Sequence, residues 1–167
     1  FMKGMIVVEL ALEMYASGYD IACFWDNGDG QSSTVPSPEG ASAGHMLLDT
    51  KQGFRMNPMH LGLELLATAQ NQSMLQLNTS ASRVHGFASR DELSRAVSIF
   101  LINKFEVAQK LRVSLPVGAL APDSVVSMVD TADHWGKMTA AQPVSCVSGT
   151  CQLTVPPVSF SVLRHQG

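Results

Sequence analysis

The stretch that decides the fold is "VHGFASRDELSRAVSIFLINK", Val84–Lys104. Two short runs rich in Val, Ile, Phe and Ser flank the polar segment "RDELSR", a pattern that predicts two strands joined by a turn. Five further runs of the same kind follow: "EVAQKLRVSLP", "DSVVSMVDTA", "KMTAAQPVSC", "CQLTVPP" and "VSFSVLRHQ". They are separated by turn residues at intervals of about ten residues, the spacing of an antiparallel sandwich. Pro116, Pro143 and the Pro156–Pro157 pair stand where they blunt strand ends and protect sheet edges. About seven strands are therefore expected over residues 78–167.

Upstream of Leu77 the period is different. Met5, Ile6, Val8, Leu10, Leu12 and Met14 interleave with Glu9 and Glu13 in a helical pattern that stops at Gly18. The run "DIACFWD" then reads as a short strand buried on both faces. "NGDGQSSTVPSPEGASAGH" has the composition of a long surface loop, and "HMLLD" is a second short apolar stretch. In "NPMHLGLELLATAQNQSML", Asn57 suits an N-cap and Pro58 the first helical position, with Leu61, Leu65 and Leu66 recurring at helical spacing. Helix, strand, loop, helix is the order in which a β/α barrel ends. The expected fold class is thus α+β, mostly β: an incomplete barrel end over residues 1–77 and a sandwich over residues 78–167, with the change of architecture near residues 77–81.

Composition narrows the function classes. The 167 residues include 15% charged and 46% hydrophobic side chains and carry a formal charge of −3. These values fit a globular chain, and with no basic cluster nucleic acid is not an expected partner. No unbroken apolar run has the length of a membrane span. The opening "FMKGMIVVELALEMYASG" lacks the basic start and cleavage site of a signal peptide. Cys146 and Cys151 bracket four residues in "CVSGTC", so they form either a disulfide across a tight hairpin or two free thiols near a turn. A disulfide would favour an oxidising compartment. His45, His60, His85, His134 and His165 have no Asp or Cys at ligand spacing, and "GDGQSS" lacks the lysine of a P-loop, so neither a metal nor another cofactor is expected.

Four stretches in this order, "SGYDIACFWD", "HMLLDTKQGFRMNPMHLGLELL", "VHGFASRDELSRAVSIFLINK" and "LTVPPVSFSVLR", resemble the C-terminal end of retaining glycoside hydrolases of the β/α-barrel clan. That clan includes arabinofuranosidases, xylosidases, glucuronidases and some agarases. The resemblance implies a sandwich packed against a barrel, a polysaccharide or oligosaccharide substrate, and a secreted or periplasmic parent enzyme. Retaining enzymes work with two carboxyl groups about 5–5.5 Å apart. The resemblance places both on barrel strands that precede Phe1, leaving no catalytic residue in this chain. The barrel strands here would need a partner, either the remaining barrel chain or a second copy.

Within that frame Trp25, Asp26 and Asn27 stand at the end of a barrel strand, which faces the active-site mouth. There Trp25 would stack on a sugar ring while Asp26 and Asn27 bind its hydroxyls. Alternatively, Trp25 is a core aromatic and Asp26 starts the turn. Glu9 and Glu13, four apart on one helix, read as a solvated face. A rival reading makes the chain a non-catalytic module whose sandwich binds carbohydrate or protein. Against a lectin-like role, the region after residue 81 holds Trp135 as its one Trp and no Tyr, and Phe87, Phe100, Phe105 and Phe160 mostly fall at strand positions suited to a core.

Overall fold

A computed structural model describes residues 2–19, 48–49, 55–56, 58–67, 70–114, 126–130 and 142–165. The chain is mostly β, with antiparallel strands and two helices among the described residues. All seven C-terminal runs carry strands. They are β4 (Val84–Arg90), β5 (Val97–Asn103), β6 (Gln109–Ser114), β7 (Val126–Asp130), β10 (Thr150–Val155) and β11 (Ser159–His165), with the run at 137–146 contributing the short β8 (Gln142–Pro143) and the start of β9 (Cys146–Val147). Strand β3 (Ser73–Leu75) precedes them and pairs with β4. Six strands form one sheet in the order β3-β4-β5-β11-β7-β8, and three form another in the order β6-β10-β9.

Alternation on the strands sorts the side chains into layers. From the six-stranded sheet, Val84, Ala88, Val97, Ile99, Leu101 and Leu163 face Val113, Cys151, Leu153 and Val155 of the three-stranded sheet in one core. The alternate residues Phe100, Ile102, Phe160 and Val162 point the other way, into a second core. That core is completed by Met5, Val8, Ala11 and Leu12 of α1 (Met2–Ala16) and by Leu65 and Leu66 of α2 (Pro58–Ala67). Phe100 and Phe160 stack there with ring centroids 6.1 Å apart. The layers thus run helices, large sheet, small sheet. Every residue of β5 is buried because both of its faces are covered.

Local chemistry fixes the ends of these elements. α1 stops where Gly18 takes φ +89°, while the N–H groups of Gly18 and Tyr19 bond to the carbonyls of Tyr15 and Met14. This is a Schellman cap, and the positive φ is what Gly supplies there. Pro58 opens α2, as its missing N–H permits. The helix is shorter than the apolar pattern implies: it ends at Ala67, Asn71 adopts φ 62°, and the chain turns into β3. The β1 (Leu48–Asp49) and β2 (Arg55–Met56) pair lies in and just after the second apolar stretch. Between β4 and β5, Asp91 accepts hydrogen bonds from the N–H groups of Leu93 and Ser94, both at 2.8 Å. Those donors, Ser94 first, hold its carboxyl below the usual carboxylate range. Among the described residues no helix is long and apolar enough to cross a membrane.

Candidate functional site

Trp25, Asp26 and Asn27, with the strand and loop assigned to them, lie outside the described residues, as do Pro116, His45, His134 and Trp135. The described chemistry gathers at two other places, one on each side of the large sheet.

The first lies between helix and sheet. Glu9 is not on a solvated face: it is 9% exposed, while Glu13, one turn on, is exposed. The reason is pairing across the layers. Lys104, which follows β5, donates through Nζ to both Glu9 carboxylate oxygens at 3.0 and 2.9 Å, and Nδ1 of His85 on β4 contacts Glu9 Oε1. His85 projects to the helix side of β4 and Lys104 stands just past the end of the neighbouring β5, so one carboxylate clasps α1 to two positions at the sheet. A single carboxylate between two nitrogen groups is an ion-pair arrangement, distinct from the paired carboxyls of glycoside hydrolysis. Beside it Phe105, expected in the core, is 44% exposed and lies under the guanidinium of Arg83, 5.3 Å from the ring centroid. It falls beyond the end of β5, where alternation no longer directs it inward.

The second place is the small sheet. Cys146 and Cys151 are register partners on β9 and β10 and are joined by a disulfide. The two residues of the turn, Ser148 and Gly149, have φ 49° and 76°, the left-handed pair that a two-residue hairpin of primed type demands. Beyond the disulfide, the outward side of this sheet holds a depression of about 510 Å³ lined by Arg112, Ser145, Val147, Thr150 and Gln152. Its lining is mixed: Arg112 supplies a cation, Ser145, Thr150 and Gln152 supply polar groups, and the exposed Val147 supplies an apolar side. The sequence signal for it is the alternation in "QKLRVS", which turns Lys110, Arg112 and Ser114 outward opposite Leu111 and Val113.

Among the described residues no group of three or more His, Cys, Asp or Glu side chains could hold a metal ion. His165, at the end of β11, is buried, with neither ring nitrogen hydrogen-bonded, and burial lowers the pKa of its imidazole.

The architecture is one found within glycoside hydrolases. The catalytic domain of a family 30 xylanase C from Talaromyces cellulolyticus superposes with a TM-score of 0.66 at 12% identity, over 98% of this chain and 35% of that one. A family 30 endoxylanase from Clostridium papyrosolvens C71 gives 0.65 at 13%, over 98% and 38%. The family 51 α-L-arabinofuranosidase from Thermotoga petrophila RKU-1 gives 0.58 at 15%, over 72% and 31%. At these identities the likeness is one of fold, and the chain spans about a third of the length of each of these structures. No protein-family model matches the sequence, and no curated protein does.

Proposed function

We propose that the chain is the C-terminal part of a polysaccharide-degrading glycoside hydrolase, in which the two-sheet region braces a β/α barrel. The observation that carries this reading is the superposition of 98% of the chain on family 30 xylanases of which it covers little more than a third. In this reading the catalytic carboxyl pair stands on other barrel strands, and Trp25, Asp26 and Asn27 border the sugar subsite. The exposed apolar residues of α1, Ile6 at 53% and Leu10 at 58%, lie one turn apart and suit contact with further barrel elements. A disulfide between Cys146 and Cys151 accords with a secreted or periplasmic enzyme.

The test is light scattering coupled to size exclusion, with xylanase and arabinofuranosidase activity assayed on the same fractions. An oligomer, or a stable complex with a larger chain that carries the activity, is the expected result. A compact, inactive monomer would overturn the bracing role and leave the self-contained binding module in its place.

A further inference from the structure

The outward row of the small sheet pairs Lys110 with Thr154, Arg112 with Gln152 and Ser114 with Thr150. Two cations and no acid stand in this row. Among the described residues Arg90 and Arg95 bond to Glu92 and Lys104 to Glu9, while Arg83 covers Phe105. Lys110 and Arg112 have no ion pair or side-chain hydrogen bond among the described residues, although Arg112 borders the depression. A guanidinium left open beside hydroxyl and amide groups is a receptor for a planar anion. Among the described residues the lining includes no aromatic ring, so none of them offers the stacking that usually holds a neutral sugar face. What these residues offer a ligand is charge-assisted and neutral hydrogen bonds.

We propose that this depression binds a carboxylate-bearing polysaccharide. Arg112 takes a sugar carboxylate through its fork, Ser145, Thr150 and Gln152 bond to ring hydroxyls, and Lys110 meets the next carboxylate along the polymer. Lys110 lies two residues from Arg112 on β6, about 7 Å along the strand. The disulfide joins β9 to β10 at the register position next to Thr150 and Val147, so the rim is held before any ligand arrives. The choice of a polysaccharide over another acidic polymer rests on the glycoside-hydrolase reading; the anionic class rests on Arg112 and Lys110 themselves.

The experiment is affinity electrophoresis of the 167-residue chain in native gels containing polygalacturonate, dextran or dextran sulfate. Retardation is expected in polygalacturonate and not in dextran. Arg112→Gln is expected to weaken it about tenfold, as loss of a charged hydrogen-bonding partner does, and Arg112→Lys to weaken it less. Lys110→Gln should also fall between wild type and Arg112→Gln. Both positions are exposed on their strand, and unchanged thermal unfolding of the variants verifies that the fold is kept. No retardation in polygalacturonate, undiminished retardation of Arg112→Gln, or equal retardation in dextran sulfate would overturn the proposal. Glycosidase activity of the intact assembly is read separately. Activity without retardation sinks this site alone, and retardation without any activity sinks the parent-enzyme reading alone.

Discussion

Glu9 concentrates the coupling between layers in one carboxylate. Replacing it with Gln keeps the shape but leaves Lys104 and His85, two partly exposed nitrogen groups, without their counter-charge. Breaking a fully buried pair costs about 3–5 kcal/mol. With Lys104 at 32% and His85 at 48% side-chain exposure, we expect roughly 1–2 kcal/mol for Glu9→Gln in urea unfolding, because solvent screens part of the loss. Asn103 is the neutral counterpart. Fully buried, it donates through Nδ2 to the carbonyls of Val107 and Pro156 at 3.0 and 2.7 Å and accepts from the N–H of Phe105 at 3.1 Å. Asn103→Asp turns the amide donor into a carboxylate facing two carbonyls, and about 3 kcal/mol of destabilisation is expected by thermal unfolding. His165 sets the acid response. Because burial holds its pKa below 6.5, the unfolded chain binds the proton first as pH falls. Its stabilising contribution is complete above pH 6.5 and drains away as pH drops through the lower folded value. His165→Leu should flatten that part of the stability profile, measured as urea midpoints from pH 7.5 to pH 5.

The hairpin of β9 and β10 shows the same logic at the level of an element. β9 has two residues, too few to hold a register by ladder bonds alone. The six-residue loop closed by the disulfide is worth about 2 kcal/mol of unfolded-chain entropy. Cys146→Ala combined with Cys151→Ala is expected to lose about that amount, and Ser148→Asn to gain a few tenths of a kcal/mol, since Asn-Gly suits the left-handed pair better than Ser-Gly; calorimetry on the two variants checks both. The sequence left the two cysteines either bonded or free, and it is their register pairing on β9 and β10 that joins them; the turn itself was legible in "CVSGTC". β3 was not: its three residues show no alternation, and its place in the sheet depends on pairing with β4. α2 was overextended for a related reason, because "ATAQNQ" carries no Gly or Pro to end it, and the stop near Asn71 depends on a left-handed backbone at a non-glycine residue. Phe105, between the runs that end at Lys104 and begin at Glu106, has no strand alternation to direct it inward and lies exposed under Arg83.

Across the whole molecule, the antiparallel class and the seven C-terminal runs were legible because each strand carries its own period. The layering was less so. Whether an apolar run such as "VSIFLIN" is buried on one face or two depends on α1, about ninety residues away in sequence, and α2, about forty residues away, and the position of Glu9 follows from that same packing. The outward cations of β6 alternate visibly, yet the depression beside Arg112 arises only when β6 meets β10, some forty residues on. Gly86 on β4 marks how closely the parts fit, for a Cβ there would approach Leu77 Cδ2 to 2.7 Å. Gly86→Ala is therefore expected to turn the end of the Leu77 side chain aside and cost no more than about 1 kcal/mol, read from urea midpoints.

β5 and β11 serve as a common wall for both cores. A transplant of the strands alone onto another scaffold would carry Phe100, Ile102, Phe160 and Val162 bare to water, an invitation to clump. Whoever wishes to borrow the small sheet and its cationic face must take α1 and α2 as well, or repaint the back of that wall with polar residues.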